Sequence, residues 1–99
     1  MEEKTTEMKE YIKVPEELSN YIQGLMYETN ARKDLLTFML RQEVMPKERV
    51  EKYHDEYVTF FTKYEMAKQE MVNEYILPKY HKDVNWRLNF STSTLEISI

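Results

Sequence analysis

From Leu18 the apolar positions run Leu18, Tyr21, Ile22, Leu25 and Met26, and they resume at Leu35, Leu36, Phe38, Met39 and Leu40. Steps of three and four place them on one side of an α-helix. Pro15 suits a first helical turn, where its missing N–H costs nothing, and Glu16 and Glu17 complement the positive end of the helix dipole. The pattern predicts a helix over 15–43. Glu43-Val44-Met45-Pro46 breaks it, and Pro46 starts a second helix with Glu48 in its first turn. That helix carries a cleaner repeat: Val50, Tyr53, Tyr57, Phe60, Tyr64, Ala67 and Met71, in alternating steps of three and four. This is a heptad seam. It continues through Tyr75 and Ile76, and the helix is predicted over 46–77, ending at Pro78. So short a link between the two helices predicts an antiparallel hairpin.

Beyond Pro78 the period changes from 3.6 to 2. Trp86, Leu88 and Phe90 alternate with Asn85, Arg87 and Asn89, and Leu95, Ile97 and Ile99 alternate with Glu96 and Ser98. Ser91-Thr92-Ser93-Thr94 lies between them as a polar turn, so 84–99 reads as a β-hairpin. Placing Phe90 opposite Leu95 puts Leu88 opposite Ile97 and Trp86 opposite Ile99, with all six on one face. A lone hairpin is marginal in water, so this face must pack on something. Tyr11-Ile12-Lys13-Val14, extended by the following Pro15, is a candidate third strand. The expected fold class is therefore α+β, mainly α: an antiparallel helical hairpin followed by a C-terminal β-hairpin. It forms one domain over 1–99, with a flexible tail over 1–9.

Length and composition agree with that picture. A chain of 99 residues with 41% hydrophobic and 32% charged positions suits one thin-cored globular domain. No apolar run approaches the ~20 residues that cross a bilayer, so no membrane partner is expected. The first ten residues are acidic and polar, unlike a secretory leader, and there is no cysteine. These features place the protein in the cytoplasm, or in a host cytoplasm where it assembles. The net charge is −4, and the one basic cluster, Lys79, Lys82 and Arg87, is interrupted by Asp83. Phosphate-tracking surfaces need clustered cations, so nucleic acid is not the expected partner. A single glycine, Gly24, excludes the glycine-rich loops that cradle phosphates.

Candidate chemistry is sparse. His54 and His81 are the available general bases, but His54 flanks the seam of the second helix and His81 lies in a polar connector. No serine sits in a nucleophile elbow. Glu51 and His54 have the ExxH spacing that ligates metal in di-iron bundles and in two-helix, half-ferritin-like relatives. Such a site also needs a carboxylate from the facing helix, and Glu28 is the candidate. In a hairpin turning near residue 45 it falls about 11 residues out of line, or ~16 Å along the axis. No metal, no cofactor and no catalytic residue is therefore expected. Thr29 and Arg32 interrupt the apolar face of the first helix. Arg32 either snorkels to solvent or is held by Glu28 or by Tyr57.

The apolar arc near the hairpin tip is too wide for one neighbour. Leu35, Leu36, Phe38, Met39 and Leu40 cover about 200° of the helix, against the ~100° stripe that suffices to face a core. The link itself is apolar at Val44 and Met45. Leu35, Phe38, Met39, Val44 and Met45 thus form a candidate protein-interaction surface, for a protein partner or a homo-oligomer.

Two stretches, Lys63 to Met71 and Asn85 to Ile97, resemble small uncharacterised proteins of low-GC Gram-positive bacteria and their phages. Some similar proteins accompany peptide-modifying enzymes. The resemblance covers the last third of the chain and implies a phage-encoded or accessory protein. The leading expectation is a non-enzymatic interaction or self-assembling protein, such as a phage virion or host-interaction component. The alternatives are a small-ligand or metal-binding helical bundle and an accessory subunit of a peptide-modifying enzyme.

Overall fold

A computed structural model describes residues 9–42, 44–82 and 84–98. The element order is β1 (Lys9–Lys13), α1 (Glu16–Leu40), α2 (Lys47–Met71), a π-helical segment (Val72–Ile76), α3 (Leu77–Tyr80), β2 (Asn85–Asn89) and β3 (Thr94–Ser98). The chain is mainly helical, with an antiparallel helical hairpin and a three-stranded antiparallel sheet. It divides into two compact units, one of residues 21–69 and one of 1–20 with 70–99.

The two long helices follow the sequence pattern closely. Pro15 and Pro46 sit just before α1 and α2, and their carbonyls accept the first helical bonds, from Ser19 N–H at 3.1 Å and from Val50 N–H at 3.2 Å. α1 closes at Leu40, earlier than the pattern predicts. Its end tightens into three-residue turns, with Arg41 N–H on Phe38 O and Gln42 N–H on Met39 O, both 3.1 Å. Such turns satisfy terminal carbonyls that a longer helix would have satisfied. Glu43, in the predicted break, lies outside the described residues. Ile22, Leu25, Thr29, Leu36 and Met39 are buried along α1. On α2 the residues of the heptad seam are buried or half-buried, Met71 most completely.

Pro78 does not end the helical run. α2 passes into the π-helical segment, and Leu77 N–H reaches back to Val72 O, five residues away. α3 then continues to Tyr80 with Pro78 in its first turn. A proline inside an α-helix clashes with the carbonyl four residues back and leaves it without a donor. A π turn holds one more residue, which rotates that carbonyl aside and lets the helix run on. The stop comes at His81, in the left-handed region at φ 59°, whose N–H donates to Leu77 O at 2.8 Å. A left-handed residue at this position is a common helix terminator, and histidine tolerates it better than most non-glycine residues.

In the second unit β3 is the central strand, between β1 and β2. The candidate third strand is thus real. It begins at Lys9, which pairs with Ser98 and so belongs to the sheet and not to a tail; residues 1–8 lie outside the described residues. The hairpin register differs from the expected one by one pleat repeat. Leu88 pairs with Leu95 and Trp86 with Ile97, so the loop is 90–93; Ile99 lies outside the described residues. The Asn89 side chain sets the shift by accepting the Ser91 N–H at 3.0 Å, and Ser93 turns the chain at φ 53°. Because the slip is two residues, the same side chains keep the same face. Leu88, Leu95 and Ile97 are buried there, beside Ile12 and Glu10 of β1. Val14 N–H donates to Ser93 O at 2.9 Å, tying β1 to the hairpin loop.

Glu10 anchors β1 to the end of α3. Its carboxylate accepts a hydrogen bond from the Tyr80 hydroxyl and lies 3.1 Å from Lys79 Nζ. The phenol first and the ammonium second hold the Glu10 carboxyl below its ordinary value of 4.5. The carboxylate in turn raises the Tyr80 phenol above 10.0. The depressed Glu10 value means that its contribution is fully present above pH 4.5 and is lost as pH falls through the lowered folded value. The raised Tyr80 value means the opposite: its share is present below pH 10.0 and is lost as pH rises through the raised value. Denaturant titrations of Glu10→Gln should therefore show a flatter acid limb below pH 4.5 than the parent protein. An identical acid limb in the two proteins would show that this contact does not contribute.

Candidate association surface

The tip of the hairpin presents apolar side chains on both sides of the link between α1 and α2. Phe38 is 60% exposed, Val44 92% and Leu35 41%, and Met45 is half-buried. Met39 is the exception among the five sequence candidates. It is only 5% exposed, because it falls on the buried face that continues from Ile22 through Leu25 and Leu36. It is a core residue, and Leu40, exposed beside it, takes its place on the surface.

The exposed side of α1 extends further than the tip. Tyr21 and Tyr27 are both more than half exposed, although the apolar pattern groups Tyr21 with the core face. From Tyr21 the steps through Gly24, Glu28, Ala31 and Leu35 to Phe38 alternate three and four. Every one of these residues is exposed. This stripe runs one residue out of phase with the buried one, and that offset is the signal in the sequence that reveals it.

The polar cluster sits in the middle of the hairpin. Arg32 Nη1 donates to the Glu28 carboxylate at 3.1 Å and to the Glu28 carbonyl at 3.3 Å. Its guanidinium lies 4.0 Å from the Phe60 ring centroid, and its Nε is 3.9 Å from Glu56. Arg32 is thus gripped by Glu28 as one expectation had it, but the partners on α2 are Phe60 and Glu56. Tyr57 stacks with Phe61 instead, ring centroids 5.8 Å apart. Arg32 is about a quarter exposed, so the cluster contributes register more than stability.

The other candidate groups stand apart. Glu51 is 3.9 Å from Lys47, Glu28 faces Arg32, and His54 is exposed with Nδ1 3.7 Å from Asp55. Among the described residues no three carboxylate or imidazole groups converge on a metal position. A shallow depression along α2 is lined by Glu51, Asp55, Glu56, Thr59 and Phe60. Of its carboxylates, Glu51 faces Lys47, Glu56 faces Arg32 and Asp55 faces the His54 ring, and the Thr59 hydroxyl donates to Asp55 O at 2.9 Å. Of the basic cluster, Lys79 is paired with Glu10, and Arg87 is paired with Glu96 at 2.8 Å. The Asn89 amide and Arg87 together hold the Glu96 carboxyl below its ordinary value. No helix among the described residues is long and apolar enough to cross a membrane.

No protein-family model, curated protein or solved structure matches this chain.

Proposed function

We propose that this is a non-enzymatic interaction protein that self-associates through the exposed side of α1 and the hairpin tip. The observation that carries the reading is the exposure of Phe38, with Leu35, Leu40 and Val44 around it. Single exposed apolar residues are ordinary, but several large ones within one short stretch, with Leu35 and Phe38 on the same side of α1, favour a contact surface. The apolar link supports the same reading, since a solvated loop favours polar residues.

Light scattering on the purified chain over a range of concentrations tests it. The expected result is an oligomer that falls to monomer in Phe38→Glu with helicity retained. A parent protein that stays monomeric at every concentration would overturn the reading.

A further inference from the structure

The geometry points to one occupant for the outer stripe of α1: the same stripe of a second copy of this chain, laid antiparallel to it. The inference rests on the self-association proposed above and adds its register and orientation.

Gly24 is the first observation. Glycine weakens a helix interior, and it is retained where a neighbouring backbone or side chain needs the space. Among the described residues nothing uses that space. Gly24 is exposed, and a Cβ built there would meet no atom within 4 Å. Fourteen residues further along the same stripe stands the opposite feature, the large and exposed Phe38. Gap and knob therefore lie on one surface of one helix.

An antiparallel copy related by a two-fold axis between Thr29 and Asn30 brings these features together. Tyr21 then lies across from Phe38, Gly24 from Leu35, and Glu28 from Ala31. Bulky side chains meet small ones or another ring, as knobs meet holes in a helical seam. A parallel copy would set Gly24 against Gly24, leaving a void, and Glu28 against Glu28, opposing like charges. Arg32 stays packed on Phe60 of its own α2, so each Glu28 keeps the one guanidinium it already binds at 3.1 Å. The pairing of Tyr21 with Phe38 and of Gly24 with Leu35 is the self-complementarity that an isologous two-fold contact requires.

The area sets the strength. With an aromatic residue offering about 200 Å², Tyr21, Tyr27, Leu35 and Phe38 leave roughly 400 Å² of apolar side chain uncovered per copy. Both copies with their polar flanks reach about 1,000 Å², the lower bound for specific interfaces. A micromolar, concentration-dependent dimer is expected, not a permanent one.

Sedimentation of the full chain over a concentration series tests the register through Gly24→Gln. The substitution enters open space in the monomer and improves helix propensity, so thermal unfolding at dilution should be unchanged or raised. In the dimer it fills the gap that Leu35 occupies, and association should weaken about tenfold or more. The orientation is read by cross-linking, which is clean because the chain has no cysteine. Oxidising a mixture of Gly24→Cys and Leu35→Cys chains should give the mixed disulfide, and neither variant should cross-link to itself. Self-cross-linking of Gly24→Cys would overturn the antiparallel order. A Gly24→Gln chain that associates as tightly as the parent would overturn the register, while loss of association in Phe38→Glu would still uphold the surface itself. A parent chain that never associates would overturn both.

Discussion

Ending the chain at Thr94 should abolish cooperative folding. The deletion removes Leu95 and Ile97, both fully buried, and each large side chain of that kind is worth ~1.5–3 kcal/mol in burial alone. It also removes every β3 partner of β1 and β2 except Thr94, because β3 stands between them and the two do not pair with each other. Two strands would be left with open edges and an uncovered apolar face formed by Leu88 and Ile12, the condition that leads to aggregation. Against a typical domain stability of about 5–15 kcal/mol, little would remain. The expected observation is loss of the thermal transition, or precipitation during purification. A soluble truncated chain that melts at the parent temperature would mean that the sheet does not contribute to the fold.

The second large effect separates two neighbours in sequence. Met39→Glu places a carboxylate where the native side chain is 5% exposed. Removing a buried methionine side chain costs about 2–5 kcal/mol, and an unpaired buried charge adds to that. For a domain of this size each kcal/mol lowers Tm by about 4–8 °C, so a fall of 10 °C or more, or outright unfolding, is expected. Phe38→Glu, one residue earlier and 60% exposed, should leave Tm within a few degrees. Its effect should fall on association alone. Circular dichroism and light scattering on the two variants give the comparison, and equal destabilisation of both would move Phe38 into the core.

The helical hairpin was legible because its two seams repeat over several turns, and the strands because Trp86 to Asn89 and Leu95 to Ser98 alternate strictly. The details that were not legible depend on single contacts. Parity in a strand is a pattern, but register is a choice made at the turn, and the Asn89 side chain made it by capping Ser91 N–H. Pro78 reads as a terminator because local chemistry says so. The π-helical segment before it is a backbone adjustment with no composition of its own. At the tip, periodicity could tell that Leu35 to Leu40 cover too wide an arc, but not which of them face inward. Met39 and Phe38 are adjacent, both large and both apolar, and only the position of α2 decides between them. The grip on Arg32 was half legible: Glu28 is one turn away along the same helix, whereas Phe60 and Glu56 depend on how the helices are aligned.

The pairing of Lys9 with Ser98 and of Lys13 with Thr94 has a mechanical consequence. Residues 9 and 98 lie side by side at the same edge of the sheet, with the ladder running away from them. A pull applied between these two points loads the backbone bonds one pair at a time, so the strands peel apart like a zip. Strands pulled from opposite ends would instead carry the load on all their bonds at once. Tension between residues 9 and 98 should therefore open the β1–β3 ladder at low force, well before it strains the hairpin of α1 and α2.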